Sequence, residues 1–217
     1  FDLKGKNADY KEVLKAALDS DIVFFGELHD SPICHWMELE LTKDLFSEKK
    51  ENLVIGAEMF ETDNQLILNE YLSGKIKERN FEEEAKLWKN YKTDYKPLVK
   101  FALTNKIPFI ATNIPRRYAA LVNKNGLEAL DSLSKEAESF LPPLPIVFDP
   151  ELKGYKELVK MMVEAGGHDT LNIAKAQAVK DATMAYSILQ NWKEGNLFIH
   201  YNGSYHSDNF EGIVWYI

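Results

Sequence analysis

Glutamate, histidine and arginine side chains follow four separate apolar runs of this sequence, each near the point where its run ends. Glu27 and His29 follow the first run, Glu58 the second, Arg116 the third and His206 the fourth. Histidine and glutamate bind ions such as zinc, manganese or cobalt, and they also carry out acid–base chemistry on carbonyl groups. An arginine near the start of a helix suits an oxyanion or a carboxylate. Each residue alone fits a helix cap or a strand end, but the set predicts a site.

The four apolar runs predict the strands that must bring these side chains together. They cover residues 21–26, 53–57, 107–112 and 196–201, and helical patterns separate them. Alternating strands and helices are typical of an α/β fold with a mainly parallel central sheet and helices on both faces. Ligands of such sheets bind outside the carboxyl ends of the strands, so we expect the polar set in one cleft there. Residues 212–217 predict a further, short strand at the end of the chain.

A helix is expected directly after the first strand. Ser31 is a good N-cap residue, and the proline that follows it suits the first helical position. The expected apolar stripe of this helix has i, i+4 spacing and consists of Ile33, Met37, Leu41 and Leu45.

A proline-rich stretch interrupts the alternation. Residues 141–150 hold four of the eight prolines and predict a stiff, extended connector. Helical patterns at about 151–165 and 170–192 follow it. We expect residues 1–217 to form a single α/β domain in which residues 141–192, called the arm below, are inserted between the third and fourth strands. The alternative is an ordinary crossover with a long loop.

Composition excludes several classes of function. The 217 residues carry 26 basic and 34 acidic side chains, a net charge of −8, which argues against a basic nucleic-acid-binding surface. No apolar run approaches the ~20 residues that a membrane-spanning helix needs. The single cysteine, Cys34, excludes an intramolecular disulfide and a cysteine-rich metal site, and no base partner marks it as a nucleophile.

The remaining polar candidates are supporting residues. His35, beside Trp36 in the first helix, is interpreted as structural, and His200, inside the fourth strand, as a core histidine with satisfied hydrogen bonds. Gln177 and Asp181 share one face of the second arm helix. We interpret both as supports for Arg116 or for a histidine of the cleft.

Five segments stand in an order that resembles a known family. They are Gly26-Glu27-Leu28-His29-Asp30, residues 57–61, residues 113–118, residues 176–185 and Gly203-Ser204-Tyr205-His206. Together they resemble the ChaN-type haem-binding uptake lipoproteins, which share a superfamily with Tiki proteases, TraB proteins and erythromycin esterases. The resemblance extends from about residue 20 to residue 217.

The resemblance implies a protein of bacterial iron uptake in the cell envelope, anchored to the outer membrane as a lipoprotein through a cysteine upstream of Phe1. It also implies a homodimer that holds two haems face to face between its arms, and an outer-membrane haem receptor as a further partner. A tyrosine would bind each ferric iron, and a histidine of the partner subunit would contact the propionates. The matching arm positions are Tyr155, the only tyrosine between the proline-rich connector and the second arm helix, and His168, the only histidine there.

The composition of the arm is compatible with the haem b site that the resemblance implies. A phenolate is an established axial ligand of haem iron and favours the ferric state. Residues 151–181 contain five lysines and five acidic residues, so the segment is neutral in an acidic chain. Lysines near Tyr155 suit propionates, and Met161 and Met162 suit a porphyrin face, although both methionines equally suit the core of an amphipathic helix.

Two functions therefore stay open from the sequence. The first is a haem-binding protein without turnover. The alternative is a metal-dependent hydrolase or esterase, in which Glu27, His29 and His206 bind a divalent ion, Glu58 joins them in activating water, and Arg116 stabilises charge on the substrate. A surface scaffold that has lost both functions is a third possibility.

Overall fold

The structure is a computed structural model that describes residues 4–167 and 170–217. Four parallel strands form its central sheet, in the order β1-β4-β2-β3. They are β1 (Ile22–Glu27), β2 (Leu53–Glu61), β3 (Phe109–Asn113) and β4 (Leu197–Gly203). Each lies on one of the predicted runs, so the parallel α/β sheet expected from the sequence is confirmed.

Helices and short turns connect the strands and surround the sheet. Within the described residues the α-helices are α1 (Tyr10–Leu18), α2 (Pro32–Lys49), α3 (Gln65–Leu72), α4 (Glu78–Glu84), α5 (Lys96–Asn105), α6 (Arg116–Asn125), α7 (Lys135–Glu138), α8 (Lys153–Glu164), α9 (Thr170–Asn191) and α10 (Ile213–Tyr216). A π-helical turn, Tyr91–Tyr95, precedes α5. Among the helices described, none is both long enough and apolar enough to cross a lipid bilayer.

The two faces of the sheet bury alternate side chains, as the pleat of a strand requires. Leu53 and Ile55 of β2 belong to the larger core, which also contains buried residues of α2, α3 and α5. Val54, which lies between them, packs on the opposite face with Met184 and Ile188 of α9. Burial on both faces explains why the strands read as continuous apolar runs rather than as an alternating pattern.

Helix α2 buries a different stripe from the one predicted. Leu41 and Leu45 are buried as expected, but Ile33 at the start of the helix is 73% exposed. His35 and Glu38 take the inward position and are 5% and 1% exposed. An apolar periodicity cannot reveal charged residues such as these on the buried face of a helix.

The arm consists of two parts with different packing. Helix α9 packs against α6 and β3, and its second half covers the sheet as a crossover helix would. Helix α8 packs on the first half of α9, where Tyr155 contacts the cluster of Ala174 and Ala178. Both helices lie between β3 and β4 in the chain, as predicted, and α8 is the part that stands farther from the sheet.

The prediction of a last strand over residues 212–217 is wrong. Gly212 has a φ of +57°, and the chain turns there into the short helix α10. Ile213 is buried in the cluster that Met184 and Ile188 form, whereas Trp215 is 39% exposed. β-Branched and aromatic residues favour a strand only where a pleated surface is available to pack on, and here the contact with α9 decides the conformation.

Substitution of Gly56 tests how tightly the side chains on the sheet are packed. A Cβ at this position would lie 2.7 Å from Cε1 of Phe198. We expect Gly56→Ala to lower the free energy of unfolding by about 1–3 kcal/mol through overpacking. Denaturant unfolding monitored by circular dichroism measures it. The double variant Gly56→Ala/Phe198→Leu should lose less than the sum of the single variants, since the smaller side chain makes room. Additive losses would contradict the assigned clash.

Candidate functional site

The carboxyl ends of β1, β2 and β4 bring the predicted polar residues together. Parallel register places Glu27 of β1 opposite Gly203 of β4, while Ala57 of β2 lies opposite Tyr201. Glu58, the next residue of β2, is therefore beside the end of β4, from which the chain continues to His206. We call the site formed by Glu27, His29, Glu58, Gln177, Asp181 and His206 the cleft.

His29 stands at the mouth of the cleft, supported by a buried carboxylate. Its Nδ1 lies 2.6 Å from Oε1 of Glu27, which also accepts a short hydrogen bond from the hydroxyl of Tyr95. A carboxylate only accepts, so Nδ1 of His29 carries a proton. The hydrogen bond to Glu27 is the largest cause of the raised pKa of His29. The His29 side chain is 44% exposed and the Glu27 side chain 2%, so the ring is the part that solvent can reach.

Glu58 lies between two histidines at the centre of the cleft. Its Oε2 accepts a hydrogen bond of 2.8 Å from the backbone amide of Gly203 and lies 3.9 Å from Nε2 of His29. Its Oε1 lies 3.3 Å from Nε2 of His206. Burial by itself would raise the pKa of Glu58, but the neighbouring His206, the Gly203 amide and His29 outweigh it and hold that pKa well below its usual range.

Asp181 of α9 holds His206, as the sequence predicted for a histidine of the cleft, and Gln177 of the same helix lies beside the ring. Oδ1 of Asp181 lies 2.5 Å from Nδ1 of His206, and the Gln177 amide lies 3.1 Å from Nε2. Burial alone would lower the pKa of His206, but the carboxylates of Glu58 and Asp181 raise it to about 10. Burial raises the pKa of Asp181 itself, only partly offset by its histidine and tyrosine partners. His206 is therefore an imidazolium at neutral pH, clamped between two carboxylates.

Gly203 has to be a glycine because the backbone and His29 approach closely. A Cβ at this position would lie 2.7 Å from Nε2 of His29 and 3.5 Å from Oε2 of Glu58. A side chain at residue 203 would therefore require the His29 ring to shift. The glycine of this segment thus serves the packing of the site rather than a left-handed backbone conformation.

Arg116 lies apart from the histidines, contrary to the expected charge-stabilising position. Its Nε donates a short hydrogen bond to Oε1 of Glu61, the last residue of β2, and one of its terminal amino groups donates to the carbonyl of Lys86 at 3.0 Å. The guanidinium is thus engaged in holding the end of β2 to the loop at Lys86. Its role in stabilising substrate charge stays a prediction, and it requires that the pair with Glu61 open.

Tyr155 is buried in the structure, not displayed to solvent. Its ring is 3% exposed, and its hydroxyl donates a hydrogen bond of 2.7 Å to Oδ2 of Asp181. Burial and the Asp181 carboxylate raise the pKa of Tyr155 above its ordinary value, so the phenolate that iron prefers is disfavoured in this arrangement. Its assignment as an iron ligand stays a prediction that requires α8 to move. His168, the second residue expected at the haem, lies outside the described residues.

Among the described residues, Glu27, His29 and His206, which the sequence predicts as ligands of a divalent ion, do not form a group of ligand atoms within 4.8 Å of one another. Glu27 contacts His29, while His206 pairs with Glu58 and Asp181 on the far side of the cleft. Within residues 4–167 and 170–217, the group whose ligand atoms all lie within 4.8 Å of one another is instead Glu27, His35 and Glu38.

Sequence reasoning missed three side chains behind Glu27. Apolar periodicity marks neither Tyr95 nor Glu38, and His35 is interpreted from the sequence only as structural. His35 and Glu38 are one helical turn apart, and a buried charged pair at that spacing is the signal that an apolar-stripe search passes over. His200 does match its interpretation, since its ring nitrogens lie 2.8 Å from Oγ1 of Thr112 and 3.0 Å from Oδ1 of Asn202.

The pKa values of the two buried histidines, His206 and His200, should be shifted in opposite directions from the ordinary value. His206, with a pKa of about 10, should still be protonated at pH 8, whereas burial lowers the pKa of His200 to about 4 and keeps it neutral above pH 5. The imidazole ¹⁵N chemical shifts measured by NMR between pH 5 and pH 8 report both states. A neutral His206 at pH 8 would contradict the clamp, and His200 is the internal reference.

Comparison with known proteins gives a family and a fold. A profile of the family described as haem-binding uptake, Tiki superfamily, ChaN matches residues 13–217. None of the curated proteins matches the sequence significantly. The structure of ChaN of Campylobacter jejuni, described as showing cofacial haem binding, has a TM-score of 0.71 at 18% identity and covers 98% of this chain and 82% of that chain.

Two toxin structures share the fold over a smaller part of their length. The effector domain RRSP of a MARTX toxin from Vibrio vulnificus has a TM-score of 0.54 at 18% identity, over 93% of this chain and 31% of that one. A structure described as bacterial protein toxins has a TM-score of 0.53 at 16% identity, over 95% and 33%. These likenesses show the fold alone. The family profile, in contrast, matches nearly the whole sequence, and this chain belongs to the ChaN family of haem-binding uptake proteins in the Tiki superfamily.

Proposed function

We propose that this protein binds haem on its arm and takes part in bacterial iron uptake at the cell envelope. The family match carries the proposal, because it spans residues 13–217 and thus includes the arm. The shared fold with Campylobacter jejuni ChaN, which binds haem cofacially, supports the same cofactor. The cofactor we propose is ferric haem b.

The end of α8 and the start of α9 offer an apolar surface for the porphyrin. Met161, Val163 and Leu171 are 58%, 56% and 47% exposed. Exposed apolar side chains of this size are a feature of ligand-binding and interaction surfaces. Methionine in particular adapts its shape to a flat ligand.

Lysines along α8 supply charge for the propionates. Each pairs with an acidic neighbour of the same segment; the pairs are Lys153–Glu157, Lys156–Glu151 and Lys160–Glu164. All six side chains are more than half exposed, and exposed pairs of this kind contribute only about 0–1 kcal/mol. A lysine can therefore turn from its glutamate to a propionate at little cost.

We propose Tyr155 as the iron ligand, which requires a change in the position of its side chain and of α8. Its hydroxyl must leave Asp181, and the start of α8 must swing away from Ala174 and Ala178. The bond between Fe(III) and a phenolate supplies a reason for the move, since coordination stabilises the deprotonated form that burial disfavours. His168 of the partner subunit would contact the propionates.

A homodimer is the assembly that we propose for the loaded state. Two haems can stack face to face only if two haem-binding surfaces meet, and a second copy of the arm provides the second surface. We further propose a lipoprotein anchored in the outer membrane, which receives haem from an outer-membrane receptor. Both proposals follow from the family resemblance.

A haem titration tests the proposal. Ferric haem added to the purified chain should give a tyrosinate-type absorption spectrum that saturates at one haem per chain, because a phenolate gives the iron a characteristic charge-transfer band. Molecular mass measured by light scattering should double on loading. Tyr155→Phe should abolish the tyrosinate bands.

Tyr205→Phe is the matched control, because the Tyr205 hydroxyl also bonds to the start of α8, at the carbonyl of Gly154. It should keep the wild-type spectrum. An unchanged spectrum in Tyr155→Phe would remove Tyr155 as the ligand, and wild-type protein that binds no haem would refute the proposed function.

A hydrolase is the second candidate, favoured by the exposure of one histidine. The His29 side chain is 44% exposed, while those of Glu58 and His206 are 7% and 4% exposed. With Nδ1 of His29 bonded to Glu27, Nε2 faces the cleft and can accept a proton from water, which is the arrangement of a carboxylate-supported general base. A haem carrier has no evident need for such a group.

A screen of ester and amide substrates tests the hydrolase. Activity should rise with pH through the raised pKa of His29, and His29→Ala and His206→Ala should each lower the rate by ~10²–10⁴-fold, the usual contribution of acid–base catalysis. A chelator decides whether the activity needs an ion. The alternative fails if no substrate is turned over, or if turnover survives both substitutions.

A further inference from the structure

Three buried side chains face one another behind the cleft, on the side of Glu27 that is turned to α2. They are Glu27, His35 and Glu38, which are 3%, 5% and 1% exposed. One ligand atom from each residue lies within 4.8 Å of the other two. The group is separate from the contacts of the cleft, because Glu27 uses its other oxygen, Oε1, for His29 and Tyr95.

Two carboxylate oxygens in this group have no hydrogen-bond partner. They are Oε2 of Glu27 and Oε1 of Glu38, both buried. A buried carboxylate oxygen without a partner costs several kcal/mol unless a proton or a cation lies against it. Oε2 of Glu27 also lies 3.8 Å from Nδ1 of His35, and the three residues offer ligand atoms around one point, which leaves room for an occupant at the centre of the group.

The hydrogen bonds of His35 turn its second nitrogen to the same centre. Its Nε2 lies 3.0 Å from the backbone carbonyl of His29, and a carbonyl only accepts, so Nε2 carries a proton. Its Nδ1 lies 3.3 Å from Oε2 of Glu38 and 3.8 Å from Oε2 of Glu27. Burial alone would lower the pKa of His35, but the hydrogen bond with Glu38 and the nearby Glu27 raise it to about 9, so in the metal-free protein Nδ1 carries a proton that faces the two carboxylates. A metal ion at the centre of the group would replace that proton on Nδ1.

We propose that Glu27, His35 and Glu38 bind one divalent transition-metal ion such as Zn²⁺ or Mn²⁺. An imidazole nitrogen with two carboxylates is a common ligand set for these metals, and the charge of −2 on the carboxylates balances the ion. The supporting contacts that metal ligands require are present: His35 donates its other N–H to a carbonyl, and Tyr95 donates to Glu27. The proposal is independent of haem binding, and the ion would tie the start of α2 to the end of β1.

Protons are the competing occupant of this site. Burial and the neighbouring Glu27 raise the pKa of Glu38 to about 9, so a proton shared between the two carboxyl groups could satisfy the same oxygens. Proton and metal exclude each other, because metal ligands must be deprotonated. The experiment therefore has to show binding of the metal itself.

Titration of chelator-treated, haem-free protein with Co²⁺ and Zn²⁺ tests the site. We expect one equivalent to bind, with visible d–d bands for Co²⁺, and calorimetry gives the affinity. Glu38→Gln keeps the size of the side chain and removes its charge, and it should weaken binding by ~10–100-fold or more, as the loss of a metal contact does. His35→Gln should do the same, and melting curves show that both variants are folded.

Two controls separate this site from others. Glu48→Gln removes an exposed carboxylate from the same helix, and His206→Gln removes a histidine of the cleft. Both should bind the metal as the wild type does. Failure of the wild type to bind either ion would assign the site to protons and overturn the proposal. Binding that Glu38→Gln and His35→Gln leave unchanged, or that His206→Gln abolishes, would overturn it as well.

Discussion

The neutralisation of buried carboxylates by histidine is the interaction on which the rest of the site depends. Glu27, Glu58 and Asp181 are almost completely buried, and each would be unstable as an anion without a partner. His206 lies between two of them and His29 against the third, so each buried carboxylate has a histidine partner within a few ångströms. The parallel register of β1, β4 and β2 makes this possible, because it brings the three strand ends to one edge of the sheet.

Asp181 connects this cleft to helix α8 of the arm. One of its oxygens accepts from Tyr155 and the other lies against His206, so the buried ring of α8 and the imidazolium of the cleft share one carboxylate. A ligand that draws Tyr155 out of its pocket leaves Asp181 with His206 alone and removes one of the two hydrogen bonds that stabilise this buried carboxylate. Tyr155 of α8 and His206 of the cleft are therefore joined through Asp181 in one hydrogen-bond network.

Much of the framework could be predicted from particular residues. The runs that begin at residues 21, 53, 107 and 196 all form strands, since β-branched residues buried on both faces leave a clear signal. The meeting of Glu27, Glu58 and His206 at one edge of the sheet followed from the rule for open α/β sheets, although β2 continues past Glu58 to Glu61. The helix of residues 213–216 and the inner stripe of α2 could not be predicted, because contacts with α9 and with Glu27 override local pattern there.

The sequence by itself determined the parallel α/β architecture, the order of its elements and the family, because these depend on local apolar patterns and on motifs that stand in a fixed order. Only the tertiary structure decided which way each polar side chain turns. It buried Tyr155 against Asp181, committed Arg116 to Glu61, and turned His35 and Glu38 toward Glu27. The reason is physical: the partner of a buried charge is set by residues far apart in the chain, which approach one another only when the sheet and its helices pack.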